Sequence, residues 1–208
     1  MCNNSMTITY DDVKKAQETQ SEIIRKTSLE FSETFSKICG AKVFLKNEYE
    51  QKTGSFKIRG AYYKIKSLTD EQKSKGVVAA SAGNHSQGVA FASNIENIPC
   101  TIVMPRTASP AKVAATKGYG AKVVLEGSTY DESWDHAQKI SSETNATVIH
   151  AFDDSNVIAG QGVIGLEIME ELPDVDEIYV PIGGGGLVAG IITAVKEKRS
   201  EERRVGKE

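Results

Sequence analysis

Short runs of β-forming residues alternate along the chain with longer segments of helical period, and two of the runs end directly in glycine turns that open helices. A βαβ alternation predicts an α/β fold with a parallel sheet covered on both faces. Ligands of open sheets of this kind bind beyond the carboxyl ends of the strands, so the two glycine turns mark the candidate site.

The predicted strands are 43–45, 76–80, 101–104, 122–125, 147–151 and 177–182, each rich in Val, Ile, Thr or Leu. Between them, segments 55–67, 84–94, 110–118, 130–144 and 157–171 carry spaced apolar residues and capping residues, which predicts helices. The segment around Gly160-Gln161-Gly162 and Gly165 reads as a helix whose small residues allow close packing. A last helix is predicted over 187–198.

The 208 residues, 39% hydrophobic and 25% charged, suffice for a real core in one or two domains. The 25 basic and 28 acidic residues are interleaved and sum to −3, so there is no basic field to hold nucleic acid or an anionic membrane. The partners expected are a small-molecule substrate and, in the full-length protein, further copies of itself as a homo-oligomer. The apolar stretches are too short to span a bilayer and Met1-Cys2-Asn3-Asn4 opens no secretory signal, so a cytoplasmic protein is expected. Cys2, Cys39 and Cys100 show neither disulfide nor zinc-site spacing, and no metal site is indicated.

Three motifs carry chemistry: Ser55-Phe56-Lys57-Ile58-Arg59-Gly60-Ala61, Ser81-Ala82-Gly83-Asn84-His85, and Gly183-Gly184-Gly185-Gly186-Leu187. Lys57 sits at a helix start, where the positive dipole end suits a phosphate and favours the neutral amine that carbonyl chemistry needs. Four residues without Cβ can fold their N–H groups into one anion nest at 183–186. The spacing there is not G-x-G-x-x-G, which weakens a dinucleotide site. His85 has no acidic residue at triad spacing and reads as structural, while His136 and His150 are isolated.

Together and in this order, the motifs resemble the fold-type II (tryptophan synthase β-like) pyridoxal phosphate enzymes, most closely the threonine ammonia-lyases and serine racemases. The resemblance runs from about residue 8 to 198. It implies a pyridoxal 5'-phosphate cofactor attached to Lys57 next to Phe56, its phosphate at Gly183, Gly184, Gly185, Gly186 and Leu187, and its 3-hydroxyl on Asn84. It places the substrate carboxylate at Ser81, Ala82, Gly83, Asn84 and His85. The fold implied is two parallel-sheet αβα domains: a small domain at 75–152 inserted into a large one, incomplete here, formed by 1–74 and 153–198.

The activity implied is deamination by dehydration of L-threonine, and of L-serine, to 2-oxobutanoate or pyruvate plus ammonia, with Lys57 moving the α-proton. Serine racemases carry a second Ser where this chain has Ala82, and a methyl cannot exchange a proton, so the dehydratase reading gains over the racemase alternative. Lys57-Ile58-Arg59 also departs from the Lys-Asp-Arg of cysteine and threonine synthases. A non-catalytic nucleotide- or phosphate-binding module remains the alternative of another class. The terminal stretch from Arg199 to Glu208, with seven charges, looks like a translated sequencing adapter, so 199–208 is expected to be a non-native tail and the chain as written inactive. The family's pyridine-nitrogen partner, metal loop and any regulatory domain would then lie beyond Lys198.

Overall fold

The computed structural model describes residues 8–205, and the side chains of 8–198. Helix α1 (Tyr10–Gln20) starts in a capping box, where Thr9 Oγ1 accepts from Asp12 N–H and Asp12 accepts from Thr9 N–H at 2.9 Å. Then follow β1 (Leu29–Phe31), α2 (Glu33–Cys39), β2 (Phe44–Lys46), a 3₁₀ turn (Glu48–Glu50), α3 (Lys57–Lys66) and α4 (Asp70–Lys75). An alternating stretch comes next: β3 (Val77–Ala80), α5 (Asn84–Ile95), β4 (Cys100–Met104), α6 (Pro110–Gly118), β5 (Lys122–Leu125), α7 (Tyr130–Thr144) and β6 (Thr147–Val148). The long helices α8 (Ser155–Glu171) and α9 (Gly186–Val205) close the order.

Strands β3 to β6 form one parallel sheet in the order β5-β4-β3-β6, as an α/β class requires. Val77, Ala79, Ile102 and Met104 face α3 and α5, joining Ile58, Ala61, Ile65 and Val89 in one core. Val78, Ala80 and Val103 face α7 and meet Ala137, Trp134 and Ile140. Because both faces are covered, all four residues of β3 are buried and the strand reads as a continuous apolar run.

Helix α8 packs on side chains of α1 and crosses α3 and α9 in backbone contact. A Cβ added at Gly60 would lie 2.5 Å from the Val157 carbonyl oxygen, and one at Gly162 would lie 2.8 Å from that of Gly190. The small residues of α8 therefore serve close helix crossings.

Three sequence expectations need correction. Segment 177–182 is not a strand: among the described residues none lies alongside to complete a ladder, although Ile178 and Val180 pack inward and Tyr179 and Ile182 are exposed. The strand expected over 147–151 pairs with β3 only at Thr147 and Val148, because from His150 the chain turns towards the start of α8. The strand expected at 43–45 lies at Phe44–Lys46 and pairs antiparallel with β1, so among the described residues the only parallel sheet is the one within 77–148. The expected tail at 199–208 lies outside the described side chains; the helical backbone of α9 continues through Val205. No described helix is long and apolar enough to cross a membrane.

Candidate active site

Lys57 is the first residue of α3. Its backbone is fixed by α5, since a Cβ at Gly88 would lie 3.0 Å from Ile58 N and 3.1 Å from Lys57 C. Its ammonium nitrogen donates to the Ala151 carbonyl at 2.8 Å and lies 5.4 Å from the centre of the Phe56 ring. Desolvation by burial lowers the lysine pKa, the direction that favours a neutral amine. The hydroxyls of Thr53 and Ser55, just ahead of the helix, are buried without a partner.

The second motif leaves the carboxyl end of β3 and opens α5, with Gly83 at the N-cap. Ser81 Oγ accepts from Gly83 N–H at 3.2 Å, and Asn84 Oδ1 accepts from Lys112 Nζ at 3.3 Å. Ala82 packs at the margin of the main core. His85 is buried, and its Nε2 lies 2.9 Å from the Ile149 carbonyl while Nδ1 has no partner. Burial first, and then the charges of Lys57 and His150, push its pKa down to about 4, against the backbone hydrogen bond to Ile149. The ring is neutral near pH 7 with its proton on Nε2, the only arrangement that donates to the carbonyl.

The third motif forms the entry to α9. Gly185 has φ +86°, a left-handed conformation that favours glycine. Leu187 packs against the group formed by Ile164, Ile168 and Ile191. The first N–H groups of α9 have no intrahelical acceptor and sit at the positive end of the helix dipole.

One segment touches all three motifs, and sequence reasoning missed it. From the end of β6, the Ile149 carbonyl reaches His85, the Ala151 carbonyl reaches Lys57, and Phe152 lies against Gly184 and Gly186. Its position at a strand's carboxyl end was the available signal. Arg59 was also overlooked as a structural centre. It is fully buried, with Nε 2.8 Å from Glu48 and Nη1 2.7 Å from Glu167, and Lys46 reaches Glu167 at 2.7 Å. Burial alone would lower the pKa of Arg59, but the hydrogen bonds and charges of Glu48 and Glu167 outweigh it and hold the guanidinium above its ordinary value. The start of α3 is thereby tied to α8 two residues from Lys57.

These groups fit the cofactor that the motifs imply. A half-buried amine biased towards neutrality suits its carbonyl, and a loop without side chains at the positive end of α9 suits its phosphate.

The comparisons agree. The chain is 51% identical over 199 residues to the L-threonine ammonia-lyase of Thermotoga maritima, covering 96% of this chain and 50% of the relative. It is 50% identical over 190 residues to the catabolic L-threonine dehydratase of Staphylococcus aureus, covering 91% and 55% respectively. The chain thus spans about half the length of the curated relatives it matches. Among solved structures, maize serine racemase superposes with a TM-score of 0.90 at 38% identity over 93% of this chain and 59% of that one. Threonine deaminase isoform 2 of Solanum lycopersicum gives 0.85 at 39% identity over 92% and 55%. The profile described as "Pyridoxal-phosphate dependent enzyme" matches residues 20–208, and the chain belongs to that family.

Proposed function

We propose that the protein eliminates water from L-threonine, and also from L-serine, giving ammonia and 2-oxobutanoate or pyruvate. The observation that carries this reading is the Lys57 amine, half-buried, lowered in pKa and held 2.8 Å from the Ala151 carbonyl on a segment that also abuts the glycine loop. The relatives named for threonine at 51% and 50% identity support the choice of substrate.

When bound, pyridoxal phosphate supplies a carbonyl that condenses with amines and an electron-poor ring that stabilises negative charge at the substrate's Cα. Lys57 would hold the cofactor beside Phe56, and its amine would take the α-proton of the substrate. Gly183, Gly184, Gly185, Gly186 and Leu187 receive the phosphate, and the Asn84 amide meets the cofactor's ring hydroxyl. The Ser81 hydroxyl and the backbone N–H groups of Ala82, Gly83, Asn84 and His85 orient the substrate carboxylate. His85 stays neutral and holds the Ile149 backbone. The water lost in the elimination returns in the hydrolysis that frees ammonia. Ala82 offers no exchangeable proton, which sets the reading apart from a racemase.

The reading includes a smaller unit at 75–152, a larger one built from 1–74 and 153–198, a homo-oligomeric cytoplasmic enzyme, and a role in threonine breakdown or in supplying 2-oxobutanoate for isoleucine synthesis. Its test is the purified full-length protein with pyridoxal phosphate and L-threonine, with 2-oxobutanoate and ammonia followed together. Equal release of both, lost in Lys57→Ala, is expected. Racemised serine without ammonia, or full activity in Lys57→Ala, would overturn the assignment.

A further inference from the structure

The four glycines of the loop do not have the same surroundings. A Cβ at Gly183 or Gly185 would meet nothing within 4 Å, whereas one at Gly184 would collide with the ring of Phe152. A Cβ at Gly186 would lie 2.6 Å from the Phe152 carbonyl oxygen and 3.0 Å from its Cα. The even positions press on Phe152; the odd ones face open space.

Phe152 is itself fixed from behind. Its ring meets His150 edge to face at 4.7 Å between centroids, and His150 meets Trp134 of α7 in the same way at 5.1 Å. The turn is closed by His150 Nδ1, which accepts from Phe152 N–H at 3.3 Å and Asp153 N–H at 2.7 Å. The preceding carbonyl, of Ala151, receives the Lys57 amine.

We propose that Phe152 is a positioning residue for the anion end of the cofactor site, its ring wedged against Gly184 so that it sets the curvature of the glycine loop and the aim of its N–H groups. The inference rests on the reading of Lys57 and the glycine loop as a cofactor site. A run of four glycines has little conformational preference of its own, so an external template must select one loop shape before the anion arrives. Selecting it in advance removes an ordering cost from binding. Gly184 lacks a side chain, on this account, to admit Phe152 as well as to expose backbone.

The test compares two probes by equilibrium dialysis: pyridoxal phosphate, and pyridoxal, which keeps the carbonyl and lacks the phosphate. Phe152→Ala should weaken pyridoxal phosphate by about tenfold, which corresponds to roughly 1.4 kcal/mol. Pyridoxal should bind this variant as it binds the unaltered protein. Phe152→Leu, which keeps apolar volume without a flat ring, should fall between. Gly184→Ala should weaken pyridoxal phosphate on its own, and Phe152→Ala added to it should restore part of the loss, because the two changes share one contact. Unchanged affinity in Phe152→Ala, equal weakening of both probes, or strictly additive losses in the double variant would each overturn the proposal. Failure of the unaltered protein to bind either probe would overturn the cofactor reading, and this proposal with it.

Discussion

Replacing His85 by glutamine should remove a defined part of the protein's acid sensitivity. The His85 ring is 3% exposed, and burial is the largest cause that takes its pKa from an ordinary 6.5 to about 4. Between those values the unfolded chain binds a proton that the folded chain does not, so stability rises with pH across that window. The contribution is complete above about pH 6.5 and is lost as pH falls towards 4. A difference of two to three pKa units corresponds to about 3 kcal/mol. The amide of the substituted side chain could still donate to the Ile149 carbonyl, yet it does not titrate. Urea unfolding at a series of pH values should therefore show the unaltered protein losing about 2–3 kcal/mol more than His85→Gln on acidification from neutrality. His150, whose pKa is also lowered, chiefly by burial, acts in the same direction in both proteins and cancels in the comparison. Parallel pH dependences for the two proteins would refute the account of His85 as a buried neutral ring.

Arg59→Met should cost about 3–5 kcal/mol in the same unfolding assay, because the buried Glu167 and the partly buried Glu48 would both lose their guanidinium partner; a change within experimental error would show that these two ion pairs do not hold α3 in place. Gly60→Ala should cost about 1–3 kcal/mol, since the new methyl would lie 2.5 Å from the Val157 carbonyl oxygen. Undiminished stability there would contradict the backbone contact between α3 and α8. Ala82→Ser should raise the ratio of serine racemisation to elimination, read by chiral chromatography alongside pyruvate release, and an unmoved ratio would show that this position does not decide between the reactions.

Helices 110–118 and 130–144 were legible to the residue, because Pro110 and Thr129 mark their starts and Gly118 and Asn145 their ends. Strand 122–125 was equally clear, as a short β-branched run between turns. By contrast, α2 and α4 bury no residue, so they leave no apolar period to read. Strand β1 is only three residues long, too short for an alternation to stand out. The segment 177–182 has the local composition of a strand, but a strand exists only where a neighbour completes its ladder, and composition does not report the neighbour.

At the candidate site, the residue types and their order along the chain were legible, and the contacts were not. Lys57 and the glycine turns stand out because few sequences place them so. Ala151 and Phe152 contribute a carbonyl oxygen and a ring to places set by β6 and α8, and neither residue type is unusual in itself. Arg59 reads as an ordinary helix-surface cation until its partners Glu48 and Glu167, 11 and 108 residues away in sequence, are brought around it.

The proposed chemistry turns on Lys57 carrying the cofactor. The direct measurement is borohydride reduction of the protein equilibrated with pyridoxal phosphate, followed by proteolysis and mass spectrometry of every lysine-bearing peptide. One reduced phosphopyridoxyl group per chain is expected, located on Lys57, and none there when excess inorganic phosphate and free pyridoxal compete during equilibration. Labelling spread over exposed lysines, or concentrated on a lysine other than Lys57, would contradict it.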